Sequence, residues 1–200
     1  MPYLGNKMET FLLLDTETGG LDSTINSLLS MYAAIVTRNS DGNMTIHSEL
    51  DIKIKPDNNS PYNVTAGAMK VNKIDLVKHD AEALSLTDAS RALYTFIQSR
   101  SNNGTNKLIP MGHNVKFDIS FIVNQLLKES LWNNYISYHS LDTVTLGLAL
   151  KIQGKLPKNT YLSLGKLAQA LKIDIEKGEL HTAKYDALLC LEAARVMLSV

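Results

Sequence analysis

The sequence has one cysteine, Cys190, and nowhere groups Cys with His. An internal disulfide is excluded, and a structural zinc site has no ligand set to draw on. An excess of either charge is also missing: Lys plus Arg and Asp plus Glu each number 20, and the net charge is zero. A broad basic face for coating duplex nucleic acid is therefore excluded, but a small site gripping one strand end is not. No apolar run reaches membrane-spanning length, and residues 1–10 lack the apolar core of a secretory signal. No segment repeats, and none has the composition of an inter-domain linker. These absences point to a cytoplasmic protein with no membrane partner. The 44% of apolar residues in a chain of 200 suffices for one α/β-sized domain with a substantial core. We expect residues 1–8 to form a loose N-terminal tail and 9–200 a single domain.

The most informative stretch is Phe11-Leu12-Leu13-Leu14-Asp15-Thr16-Glu17-Thr18-Gly19-Gly20. A short apolar run stopped by glycines reads as a buried strand, about Phe11 to Asp15. Leu28 to Thr37 is apolar enough for a second strand, and Asp41-Gly42 is a hairpin signal. Ile46, Leu50, Ile52 and Ile54 then alternate with polar residues, as in a third strand with one wet face. These three strands form an antiparallel meander. Further on, one or two short helices are expected within Thr65 to Val77 and a crossover helix over Ser85 to Gln98. A fourth strand fits Lys107 to His113, kept brief or edge-like by Pro110. Phe117 to Lys128 reads as a helix and Tyr135 to His139 as a fifth strand. Leu141 to Ile152, Ser163 to Leu171 and Ala183 to Leu198 read as helices. The result is an α/β fold on a mixed five-stranded sheet, three strands antiparallel and two parallel, flanked by helices.

On a strand, residues two apart share a face, so Asp15 and Glu17 aim at one spot. Carboxylates that close repel, and a hard divalent cation such as Mg²⁺ or Mn²⁺ removes the conflict. Two later segments hold candidate partners. In Gly112-His113-Asn114-Val115-Lys116-Phe117-Asp118, the aspartate falls in the first turn of a helix. In His181-Thr182-Ala183-Lys184-Tyr185-Asp186-Ala187, Asp186 lies near the start of the last helix, and His181 is on the loop before it.

Taken together, Asp15-x-Glu17, His113-Asn114-x-x-Phe117-Asp118 and His181-x-Ala183-x-x-Asp186-Ala187 resemble the three motifs of the DnaQ-like DEDDh 3′→5′ exonuclease family. That family includes the epsilon proofreading subunit of bacterial DNA polymerase III, RNase T and oligoribonuclease. The resemblance spans Phe11 to Leu198 and implies an RNase H-like fold with residues 9–200 as one exonuclease domain. It implies hydrolysis from the 3′ end of single-stranded DNA or RNA by two divalent ions, Mg²⁺ or Mn²⁺, about 3.5–4 Å apart, with release of nucleoside 5′-monophosphates. Asp15, Glu17 and Asp186 would hold the ion that binds the attacking water. Asp15 would bridge to the second ion, Asp118 would support that ion, and His181 would act as general base.

Thr16, Thr18, Leu21, His113 and Asn114 are candidate substrate contacts. The amides of Thr16 to Thr18 would meet the terminal sugar. Leu21 is either a wedge against the last base or a turn residue packed on the core. His113 and Asn114 would chiefly fix the loop before Asp118. His47, His79 and His139 have no motif around them and read as surface residues. Asp142 reads as a structural cap. The loop Lys177-Gly178-Glu179-Leu180 is expected to be mobile until substrate binds. Gly19, where relatives often have Thr or Ala, could loosen its turn, and Ser30 replaces an acid common in relatives.

The Asp-Thr-Glu-Thr and His-Asn-x-x-Phe-Asp runs resemble the proofreading branch most, which favours DNA. The resemblance also raises two partners: a DNA polymerase, on which the chain would dock as a weakly active subunit, and a second copy, since oligoribonucleotide-degrading members of that family form homodimers.

Overall fold

The computed structural model describes residues 9–101, 106–176 and 181–199. The expected N-terminal tail and the Lys177–Leu180 loop lie outside the described residues. The chain opens with three long strands, β1 (Glu9–Thr18), β2 (Leu28–Arg38) and β3 (Met44–Lys55). They are followed by α1 (Ala66–Asn72), α2 (Leu76–Glu82), β4 (Leu84–Ser85), α3 (Leu86–Gln98) and β5 (Ile109–Gly112). The rest comprises α4 (Val115–Gln125), α5 (Glu129–Tyr135), β6 (Leu141–Asp142), α6 (Thr143–Ile152), α7 (Leu164–Ala170) and α8 (Ala183–Leu198).

The strands form one mixed sheet in the order β4-β3-β2-β1-β5-β6. β1, β2 and β3 are antiparallel, whereas β5 runs parallel to β1 and β6 parallel to β5. Six strands are present where five were expected. The extra one is β4, which pairs parallel to the end of β3. The expected strand at Tyr135–His139 is absent: Tyr135 ends α5, and Ile136 makes only an isolated bridge to Leu108. The outermost strand is instead Leu141–Asp142. Ladders two residues long leave no alternating pattern to read, so both β4 and β6 escape a periodicity argument. Pro110 sits in β5 opposite Leu12, and β5 is only four residues long.

The alternation of β1 organises both layers. Leu12 and Leu14 point to one side, where they pack with Met31, Ala33 and Ile35 under α3, α4 and α5. Phe11 and Leu13 point to the other, where Tyr32, Ala34 and Val36 meet Ala183, Ala187, Cys190, Leu191 and Ala194 of α8. The small residues along α8 let it lie close to the sheet. Leu12, Leu13 and Leu14 are each fully buried, worth about 1.5–3 kcal/mol apiece. Cys190 is buried as expected, and burial pushes its thiol far above the usual range.

The turn after β1 is fixed rather than loose. The Gly19 amide donates to Ser27 O at 2.7 Å, and its carbonyl accepts from the Thr65 amide at 2.6 Å. A Cβ at Gly19 would stand 2.4 Å from Asn63 O, which itself accepts from the Ser27 amide. That carbonyl cannot move without giving up its own bond. Gly19→Ala should accordingly destabilise the fold by about 1–3 kcal/mol, read as a lower Tm in thermal melts; an unchanged Tm would show that the 19–27 turn is not the clamp it is taken to be.

Candidate active site

The alternation that builds the two layers also sorts the acidic groups. Asp15 and Glu17 follow Phe11 and Leu13 onto the α8 side of the sheet, opposite Tyr32 and Ser30 of β2. Asp186 approaches from the first turn of α8, whose start is capped by the Thr182 hydroxyl accepting from the Tyr185 amide. One oxygen from each of Asp15, Glu17 and Asp186 lies within 4.8 Å of the other two.

Thr16 faces the opposite layer, where α4 lies. Its amide and its hydroxyl both donate to Oδ1 of Asp118, at 2.9 and 2.7 Å. Asp118 is thus buried beside the end of β1, near enough for its charge to act on Asp15 and Glu17, while the three carboxylates within 4.8 Å of one another are Asp15, Glu17 and Asp186. The start of α4 is set by Asp142. Its Oδ2 accepts from the Val115 amide at 2.9 Å, while its Oδ1 caps α6 through Val144 at 2.8 Å. Asp142 is the structural cap expected from the sequence.

Burial dominates the electrostatics. Asp15 is raised well above the ordinary carboxylate range by desolvation, then by the charges of Asp118, Asp186 and Glu17. Glu17 is pushed up to about 8 by burial, then by Asp186 and Asp118. Asp118 is pushed up to about 7 by burial, against the lowering effect of its bonds from Thr16. Asp186 is also raised by burial, partly offset by His181. Such a cluster favours protons or a cation over its own ionised form.

The cluster fits a divalent ion. Among the described residues, Oδ1 of Asp186 is buried without a hydrogen-bond partner, and Oδ2 accepts a 3.3 Å bond from the His181 amide. A buried carboxylate oxygen with no donor, beside two converging carboxylates, is an arrangement that a hard cation completes.

Two hollows meet here. The first, about 490 Å³, runs from Glu17 and His181 to the turn between α1 and α2 and carries Lys53, Lys73, Lys78 and Lys184. The second, about 350 Å³, is largely apolar and is walled by Leu21, Val71, Ala68 and Phe117, with Thr16 and Thr18 at its floor. Glu17 and Asn72 line both and form the partition between them.

The remaining sequence candidates divide. Leu21 stands 87% exposed at the apolar hollow, not packed on the core. The Thr16 amide is already engaged by Asp118, and the Thr18 hydroxyl donates to Gly20 O at 2.7 Å. His113 bonds Thr143 through Nδ1 at 2.8 Å and is held below its usual value by burial. Asn114 occupies a left-handed conformation before α4. Neither His113 nor Asn114 lines the two hollows at Glu17, and both fix the loop that positions Asp118.

His79 is not a surface residue: it is 4% exposed, with Nε2 3.0 Å from Ile54 O. Tyr185 holds the chain ahead of α8, its hydroxyl accepting from the Glu176 amide at 2.7 Å. Val71, Asn72 and Lys73 lie in the Ala68–Asp75 segment, which also resembles the family between its first two motifs, but none of the three was singled out as a site residue, because a short helix shows no face to read.

Because folding raises these carboxyl pKa values, the folded state binds more protons than the unfolded state, and stability must fall as pH rises. The window opens at the ordinary carboxylate range and closes near 7 for Asp118 and near 8 for Glu17. In chelator, Tm should decline from pH 5 to pH 8, and Mn²⁺ should remove most of the decline. Apo Asp15→Asn should melt at or above the wild type and gain less from Mn²⁺. Marked destabilisation without metal and an undiminished Mn²⁺ gain would make Asp15 a structural residue.

Comparison with known proteins places this geometry. Residues 12–194 match a family described as exonuclease. Ribonuclease T of Hahella chejuensis is 28% identical over 189 residues, covering 92% of this chain and 82% of that protein. Ribonuclease T of Photorhabdus laumondii is 25% identical, covering 88% and 77%. Exonuclease I of E. coli, solved in a complex with single-stranded DNA, superposes with a TM-score of 0.73 at 19% identity, covering 96% of this chain. The chain spans about two fifths of the length of the exonuclease I chains it matches, 41% in that complex, and at this identity the likeness speaks for the fold. The chain belongs to the exonuclease family, within the DnaQ-like 3′→5′ exonucleases that its motifs resemble.

Proposed function

We propose that this protein removes nucleotides one at a time from the 3′ end of single-stranded DNA, releasing nucleoside 5′-monophosphates, with residues 9–200 acting as one exonuclease domain in the cytoplasm. The observation that carries the reading is the convergence of Asp15, Glu17 and Asp186, with an unpartnered Asp186 oxygen beside His181.

Two divalent ions, Mg²⁺ or Mn²⁺, would supply activation of water and stabilisation of charge on the phosphate and leaving oxygen. Asp15, Glu17 and Asp186 would hold the first and Asp15 the second. Asp118, whose charge acts on Asp15, would support the second. His181, exposed on the loop before α8, takes the proton of the attacking water. Leu21, Val71 and Phe117 hold the terminal base against aliphatic and aromatic walls, a contact open to any base.

The exonuclease I structures bound to oligonucleotides support a single-stranded ligand. The comparisons support neither a polymerase partner nor a second copy. An RNA substrate is the second reading, favoured by the ribonuclease T relatives.

Matched 5′-labelled DNA and RNA oligonucleotides, digested in parallel with Mn²⁺ and with chelator, test the proposal. The expected result is 3′-end shortening that stops in chelator and runs faster on DNA. Internal cuts at early times, or digestion that persists in chelator, would falsify it; faster RNA decay would move the substrate assignment. Asp186→Ala should abolish turnover and weaken metal binding. His181→Ala should lose about 10²–10⁴-fold in rate with metal binding retained, checked by calorimetric Mn²⁺ titration.

A further inference from the structure

Asp186 reaches the acidic cluster from a helix, not from the sheet that carries Asp15 and Glu17. Without a cation, like charges push these groups apart. β1 is paired with β2 along its whole length, Asp15 and Glu17 included, and has little room to yield. The first turn of α8 is the freer side. It meets the sheet through Ala183 and, one turn on, Ala187. Methyl groups allow a close approach but do not lock a helix end against lifting. The Thr182 hydroxyl caps the turn from within, through the Tyr185 amide.

One side chain of that turn reaches across to the sheet. Lys184 Nζ donates to Oε2 of Glu49, on β3 and 135 residues away in sequence, at 2.9 Å. In doing so the ammonium stands over the ring of Tyr32, 5.6 Å from its centroid, within the range of a cation–π contact. Tyr32 is fully buried on β2, with Asp15 opposite it on β1 and Asp51 opposite it on β3. Glu49 lies opposite Ala34, two residues along the same face of β2. Through Tyr32, the Lys184–Glu49 contact is therefore seated on the cross-strand row that contains Asp15. Lys184 and Asp186 are two apart on a helix and do not face each other. The charge that lowers Asp186 is that of His181.

The pair is weak as a source of stability, since its side chains are 49% and 41% exposed. Its place gives it leverage, because a misplacement of about 1 Å at a reacting group can cost about 10²-fold in rate.

We propose that Lys184 and Glu49 are a positioning pair, which holds the first turn of α8 down on the sheet and so keeps Asp186 beside Asp15 and Glu17. The inference rests on the exonuclease reading, in which those three carboxylates hold the divalent ion. Neither Lys184 nor Glu49 touches the ion or the reacting phosphate. They act through the helix that carries Asp186.

The test is a double-mutant cycle on the full chain: Lys184→Met, Glu49→Ala and the two together, with Lys184→Arg as the conservative variant. Mn²⁺ affinity is read by calorimetry in about 0.15 M salt, where exposed charges are largely screened. Digestion of a labelled single strand gives kcat and KM, and melting in chelator checks that each variant folds. Each single variant should weaken Mn²⁺ binding and lower kcat by about two- to fivefold, the scale of one exposed ion pair, with KM for the strand unchanged. The double variant should lose no more than either single one, and Lys184→Arg should keep the wild-type values. Tighter Mn²⁺ binding in Lys184→Met with weaker binding in Glu49→Ala would reveal a long-range field in place of positioning and overturn the proposal. A KM that rises in Lys184→Met and falls in Glu49→Ala would make Lys184 a contact to the strand for which Glu49 competes, and overturn it too. So would additive losses, no loss in any variant, or an equal loss in Lys184→Arg. If the wild type digests no strand, the exonuclease reading falls, and the Mn²⁺ cycle still decides this one.

Discussion

Carboxylates held together away from water repel one another, and this fold is built to hold them so. β1 has neighbours on both edges and helices on both faces, so its end cannot yield to that repulsion. The three leucines before Asp15 anchor the strand in the core. Asn72 and the clamped Gly19 fix the chain just beyond Glu17. The repulsion is therefore stored as raised proton affinity instead of being relieved by movement. A site in this condition is preorganised for a cation, because the cost of assembling the charges is met by folding.

Much of this was legible in the chain itself, for identifiable reasons. The two-residue period of a strand is strict, so Asp15 and Glu17 had to share a face, and the helical start at Ala183 had to bring Asp186 within reach of some neighbour. The same period explains what was harder to see. Thr16 must point the other way, and it holds Asp118 by two hydrogen bonds beside the acids whose charges it meets. No spacing rule announces that hold, since it depends on which side of the sheet α4 packs.

Other features left weaker traces or none. β4 and β6 are too short to carry a pattern, and Leu141–Asp142 reads as the beginning of α6. His79 read as a surface residue because no motif surrounds it, yet it is buried, with its ring edge-on to Tyr62 at a centroid distance of 5.9 Å. The apolar hollow is assembled from Leu21, Val71 and Phe117, three segments far apart in sequence, and only the first could be suspected without the fold.

The short β4 has a consequence for how copies of this chain behave at high concentration. It covers Ile54 and Lys55, so among the described residues nearly all the outer margin of β3 presents its backbone without a ladder partner in the sheet. Such a margin invites foreign strands. Along it, Glu49, Asp51, Lys53 and Lys55 alternate with apolar residues, and an added strand would have to strip water from those charges at every second position. The margin guards itself by charge patterning, which lets the sheet stop at a two-residue cover and leaves the space beside β3 open to the cleft.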